Sequence, residues 1–561
     1  MQFKQTLARL FFLLLPFGAL AQTTYLAQGD KQNILLERLE IKAQSDSVLN
    51  FSKTRPYSRK KFVLNGVESF QENNPGIALS ASDDYNLRSL YMNNTEWLTA
   101  EQRAEYASRK PIWKHFYKTP ASLYEVHVKD FDLVVNPVFQ YTLSKERNND
   151  QHLFQNTRGV VLRGKIANKI GFAAYLTDNQ ERDPAYVQSW IAERRAVPGN
   201  GFYKNFKAAG GVDYFDARGY FTFNVTRYID VAFGYDKNFI GNGYRSLFLS
   251  DFGNNNLFLK LNTRIWKFNY QNLFMELNAA DRMAADHYKP RKYAAMHHLD
   301  INVTRWLNIG LFEGITFGRA NRFDFAYLNP VIFYRSIESQ NGSYDNAVAG
   351  LDFKANVAKK AQLYGQLLLD EFKLSEIKAG NGWWANKWGI QLGAKYIDAF
   401  GISNLDLQVE HNRVRPFTYA HLDSVAEYSH YNQPLAHPLM ANFKEWIGVA
   451  RYQPAPRWMI TGKLIAYQQG RDSSAASYGS NLFLPYTYRA SDHGFNIGSG
   501  WKTNVVYGSL LLSYELRQNL FLEAMAMHRR LETKTAPLVS ASTTVFSFGM
   551  RWNMHRREFD F

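Results

Sequence analysis

Two stretches of this 561-residue chain bring aromatic rings, amides and opposite charges into close spacing. The first runs Gly234-Tyr-Asp236-Lys237-Asn238 and continues through Arg245 and Asp251 to Asn255. The second spans 329–354 and carries Arg335, Glu338 and Asp352, with Arg319 shortly before it. Further on come the acidic pair Asp370-Glu371 and the double tryptophan Trp383-Trp384. These residue types suit sugars, because rings stack on apolar sugar faces while amides and carboxylates pair with hydroxyls. They are candidate glycan contacts. A second reading stays open: the loops fold inward and constrict a lumen, and their charges form buried ion-pair networks, since charges withdrawn from water need partners. For Trp383-Trp384 the choice lies between a stacking platform and an interfacial girdle.

Catalytic patterns are missing. The chain has no G-x-S-x-G, H-E-x-x-H or P-loop, and its 13 His are scattered. His297-His298, His411, His421 and His430 read as strand starts or loop positions without metal-ligand spacing. Cys is absent, which excludes disulfides, thiolate metal sites and thiol nucleophiles. A non-enzymatic protein with no cofactor and no metal is expected.

The elements that must position these residues are strands. From about Asp130 onward the hydrophobic period is 2. Phe221, Phe223 and Val225 alternate with Tyr220, Thr222 and Asn224; Trp388, Ile390 and Leu392 alternate with Gly389, Gln391 and Gly393. Short turns such as 167–169, 226–228, 304–307 and 358–361 alternate with long polar loops such as 178–211, 236–256, 318–347, 411–443 and 468–502. Short and long connections in alternation are what a membrane-spanning up-and-down barrel needs, with brief periplasmic turns and extended outer loops. The count is about eighteen antiparallel strands, the last descending to Phe561. Such a sheet must close, because hydrocarbon offers no partner for an unpaired backbone group.

The first part of the chain differs. Residues 1–21 read as a signal peptide: Lys4 and Arg9, an apolar run from Leu10 to Phe17, then Ala19-Leu20-Ala21. From 22 to 123 the pattern is helical and punctuated by Pro56, Pro75, Pro111 and Pro120. Asn33–Ile41 has helical apolar spacing, and Thr99-x-x-Gln102 forms a capping box for a helix reaching Ser108. This segment is expected to be a periplasmic head or plug, and 124–561 the barrel. The net charge of +16 suits anionic lipopolysaccharide or an acidic glycan, or else places Arg and Lys beside the membrane band. Nucleic acid is not a partner for an exported chain.

One stretch carries a resemblance. Gly241-Asn-Gly243, with Ser246, Leu247, Leu249 and Ser250 after it, resembles the signature of the Wzi capsule-assembly family, with Ile240 where that family has Trp. Asn346 to Asp352 is similar to its next strand, and Leu363 through Gln366 to Asp370-Glu371 to the one after. The likeness extends over most of the chain and is strongest to the family's branch from gliding bacteria, which includes a gliding-motility protein. It implies an eighteen-stranded outer-membrane barrel with a helical periplasmic head and inward loops. It also implies a lectin-like role in retaining capsular polysaccharide, or, along the gliding branch, loops that bind gliding or surface-assembly proteins. Outer-membrane lipid and lipopolysaccharide are the expected surroundings.

Overall fold

The computed structural model describes residues 23–561 apart from 207–209, 282–286, 332, 343 and 536–537; the signal-peptide expectation lies outside the described residues. Eighteen antiparallel strands form a closed barrel. They are β1 Phe131–Glu146, β2 Leu153–Ile166, β3 Ile170–Arg182, β4 Gly211–Asn224, β5 Ile229–Asp236 and β6 Asn256–Ile265. Next come β7 Phe268–Asn278, β8 Arg291–Asn302, β9 Leu307–Phe317, β10 Asn346–Val357, β11 Ala361–Glu371 and β12 Lys387–Tyr396. The last six are β13 Leu405–Val414, β14 Phe443–Ala455, β15 Trp458–Arg471, β16 Trp501–Arg517, β17 Leu520–Thr533 and β18 Val539–Trp552. Closure is made by β18 on the upper part of β1, with Val545 opposite Glu146 and Trp552 opposite Phe139. Below that point β1 pairs instead with a hairpin strand, Ser122–Val128.

The period of 2 sorts the two faces as expected. Leu143, Phe221, Phe233, Leu351, Leu392, Leu464, Leu510 and Phe548 are exposed on the outside, where lipid covers them. Among the described residues no helix is long and apolar enough to cross a membrane. Two of the short turns share the sequence Asn-Val-Thr-Arg, at 224–227 and 302–305, and close by the same local bond. The Thr226 and Thr304 hydroxyls accept the N–H groups of Ile229 and Leu307, at 3.2 and 3.0 Å, which closes each turn.

The head packs into the end of the barrel that carries the short turns. It comprises α1 Gln32–Ala43, α2 Asn65–Asn73, α3 Ala81–Met92 and α4 Ala100–Glu105, around Leu35, Leu39, Leu49, Val67, Phe70 and Leu90. The Thr99–Gln102 capping box is formed, although α4 ends at Glu105, short of Ser108. Charge ties the head to strand ends. Glu37 meets Lys395 and Arg451 at 2.6 Å each, Arg163 reaches Glu96 at 2.7 Å, and Arg38 bridges Asp83, Asp398 and Asp406. Burial alone would raise the Glu37 carboxyl, but the two cations outweigh it and hold it at about 2.

Among the described residues, loops and the tail enter the lumen. The 237–255 loop dives from the outer rim until Phe239 and Ile240 pair with Arg55 and Thr54 of the head. The 415–442 loop covers it: the Tyr419 and Tyr428 hydroxyls donate to the carbonyls of Leu247 and Phe248 at 2.8 and 2.6 Å. The tail corrects an expectation. The last strand ends at Trp552, not Phe561, and residues 553–561 turn back inside. There Phe561 packs on Tyr186 and Trp190 of helix α5, Ala185–Arg194, and on Phe252. Inside, the Asp560 carboxylate pairs with Arg245 and Lys463, which anchors the tail.

The 318–345 loop departs from the inward expectation. Its described residues fold down the outer face of the barrel, where the Pro330 carbonyl accepts from Tyr270 and Asn272, and Tyr334 of α6, Tyr334–Gln340, packs tilted against His297 with ring centroids 4.0 Å apart. Those strand residues alternate with inward neighbours such as His298, so they face out. The loop's Phe325, Val331 and Phe333 remain exposed beside the lipid-facing wall.

Candidate functional site

Several sequence candidates turn out to be inner-network charges. Arg245 meets Asp560 at 3.0 Å and Glu445 at 3.9 Å, and donates to the Asp560 carbonyl at 2.8 Å. Lys463 holds the same Asp560 from β15, so loop, wall and tail share one knot. Asp352, buried in β10, joins Lys53 of the head and the His298 ring at 2.7 Å. Gly310 makes room for that pair, since a Cβ there would lie 2.4 Å from an Asp352 oxygen and 2.6 Å from the His298 ring nitrogen. The expectation of rim or loop histidines therefore fails at His297 and His298. Both lie within β8, one outward under Tyr334 and one inward on a carboxylate, because a strand interior alternates its faces.

Asp236, Lys237 and Asp251 lie together near the rim. Asp236 is 3.7 Å from Arg218, and the Lys237 ammonium donates to the carbonyls of Gly199 and Asp251 at 2.7 and 3.1 Å. Arg319 forks onto Asp345 at 2.6 Å and reaches Asp324 at 3.3 Å, while Arg335 pairs with Glu338 one turn along α6. These three belong to the outward loop, away from the lumen.

The remaining four meet at the outer mouth. The Lys387 ammonium lies 3.9 Å from Asp370 and 3.6 Å from Glu371 and beneath two rings, 5.4 Å from Trp384 and 5.0 Å from Tyr486. Trp384 sits 4.6 Å from Tyr486, and the Arg489 guanidinium covers it at 4.6 Å. Trp383 leans on Trp384 at 6.2 Å, with Lys373 at 5.6 Å from its ring. Gly382 permits this bend. Its φ of +69° is left-handed, and a Cβ would meet the Phe495 backbone at 2.8 Å. Trp383, Trp384 and Tyr486 stay partly exposed, and the Glu371 carboxylate is 45% exposed. Ring faces flanked by charges of both signs can stack on a sugar and bind its hydroxyls. Lys387, Tyr486 and Arg489 escaped the sequence reading. The last two come from a distant loop, although Tyr486-Thr-Tyr488-Arg489 is an aromatic-cationic cluster visible there. Among the described residues no group of His and carboxylates is arranged to hold a metal.

Fold and site together define a class: a membrane-spanning, eighteen-stranded β-barrel, plugged by its own head, loops and tail, with an aromatic, charged patch at its outer mouth. Comparison with models of protein families and with curated proteins finds no match. Among solved structures, the chain is similar to Wzi of Escherichia coli, an outer-membrane protein involved in group 1 capsule assembly and a carbohydrate-binding β-barrel. The match covers 96% of this chain and 100% of that one, with a TM-score of 0.57 at 13% identity. OprD of Pseudomonas aeruginosa aligns over 76% of this chain and 96% of its own, with a TM-score of 0.43 at 12% identity. The chain has a Wzi-like fold.

Proposed function

We propose that this chain is an outer-membrane protein that binds and retains surface polysaccharide without catalysing a reaction. The observation that carries this reading is the outer-mouth patch of Trp383, Trp384, Tyr486, Arg489 and Glu371 above a lumen occupied by protein. A filled barrel offers its outer surface rather than a passage, and this surface has the chemistry of a lectin. The formal charge of +16 favours an acidic glycan by raising its local concentration at the cell surface. The likeness to a carbohydrate-binding barrel supports the same reading. Deleting the gene and measuring cell-bound against shed polysaccharide tests it. Material moving into the medium at constant total synthesis is the expected result, and unchanged partition would overturn it.

A further inference from the structure

The plug leaves the wall incomplete. Strand β4 rises higher than its neighbour β5, which ends at Asp236 because the chain then dives inward. Gly219 to Asn224 pair with β5, and Gly211 to Asp213 pair with a short strand, Lys204–Phe206. Between them, Tyr214 to Arg218 have, among the described residues, a ladder partner only on the β3 side. The result is a notch in the outer part of the wall. Exposed edge backbone in a membrane barrel needs a partner, because lipid supplies none.

Behind the notch lies a cleft of about 450 Å³, within the range of small-ligand sites. Its lining combines rings (Phe202, Phe215, Tyr235, Tyr431) with amides (Asn200, Asn254, Asn255). Lys204 and Asp213 stand opposite each other in register and contribute one charge of each sign. Asn255 is the telling residue. It is 2% exposed and donates its amide to Asp216 at 2.9 Å, yet its Oδ1 has no partner among the described residues. A buried acceptor without a donor is an unmet polar demand, here in the wall of the cleft that Asn255 lines. At the lateral edge Phe202 and Phe215 are 60% and 61% exposed, and Phe215 points away from the lumen.

The geometry points to a lateral binding site for the saccharide headgroup of a lipid-anchored glycan, entering from the outer leaflet through this notch. Hydroxyls meet the amides and the free edge of β4, while Phe202 and Phe215 lie against the lipid portion. The neutral lining selects an uncharged, hydroxyl-rich sugar. The site is separate from the outer-mouth patch, although its occupant rests on the saccharide-binding reading above.

The test uses the full chain in nanodiscs, with a diacylglycerol-linked neutral oligosaccharide and the same oligosaccharide freed of its lipid as probes. Wild type should bind the lipid-linked form at least tenfold more tightly than the delipidated one. Ala217→Trp, which fills the cleft, and Asn254→Ala, which trims it, should each weaken that binding tenfold or more while the barrel keeps its heat-modifiable gel mobility. Equal affinity for the two probes overturns lateral entry. Unchanged affinity in both variants, or no binding of either probe by wild type, overturns the site. Cell-bound polysaccharide in Trp384→Ala cells reports separately on the outer-mouth reading, so the two can fail independently.

Discussion

Ile240 stands opposite Thr54 in a two-residue ladder at the centre of the barrel. One residue comes from a loop that leaves the long-loop rim, the other from the head at the opposite, short-turn end of the barrel. The adjoining Gly241 N–H donates to the Lys53 carbonyl at 2.7 Å, so the contact is backbone-made on both sides. Lys53 itself is buried between Asp300 and Asp352. The two ends of the molecule are thereby joined through the lumen.

Replacing 239–250 by a short Gly-Ser turn should open that passage. Planar-bilayer recordings of the wild type should show conductance near background. The shortened variant should show discrete steps well above it. A conducting wild type would contradict an occupied lumen.

The tail knot should matter for stability. Removing one partner of a buried ion pair leaves the other uncompensated, at a cost of about 3–5 kcal/mol. Arg245→Ala should therefore lower the thermal unfolding midpoint in detergent and expose Phe561 to carboxypeptidase, whereas wild type resists digestion. Equal digestion of the two proteins would place the tail outside.

Because the last strand ends at Trp552, deleting 553–561 should leave barrel insertion intact. Membrane fractions should contain a folded, heat-modifiable species with reduced thermal stability. Loss of insertion would show that 553–561 is required for the barrel to assemble.

Head docking should depend on pH through Glu37. Its folded value of about 2 lies below the ordinary 4.5. A depressed carboxyl contributes stability that is complete above pH 4.5 and lost as pH falls through about 2. Pepsin digestion between pH 2 and 4.5 should show α1 protected at the upper end and cut at the lower. Glu37→Gln should be cut across the range. Equal protection of the two proteins would remove Glu37 from the docking contact.

At the outer mouth, Trp384→Ala should weaken polysaccharide binding about tenfold, or ~1.4 kcal/mol. Arg335→Ala, on the outward loop, should bind as wild type does. Pull-down with purified surface polysaccharide distinguishes them.

The amino-acid sequence by itself determined the barrel. Alternation of two, short turns against long loops and the Thr-closed turns at 226 and 304 are local properties, and closure follows from the chemistry of lipid. It also determined the helical head, through the 33–41 spacing and the Thr99 cap. The tertiary structure alone decided where the candidate charges work. Arg245 and Asp352 carry the same residue types as a sugar site, but their partners Asp560 and Lys53 lie hundreds of positions away. Pairing of that kind is set by the path of the chain through the lumen, which no local pattern encodes. Likewise Trp384 becomes part of a patch only when the loop bearing Tyr486 and Arg489 folds over it. The notch beside β4 exists because one loop turned inward, a choice made by packing across the barrel rather than by any residue in the strand it leaves bare.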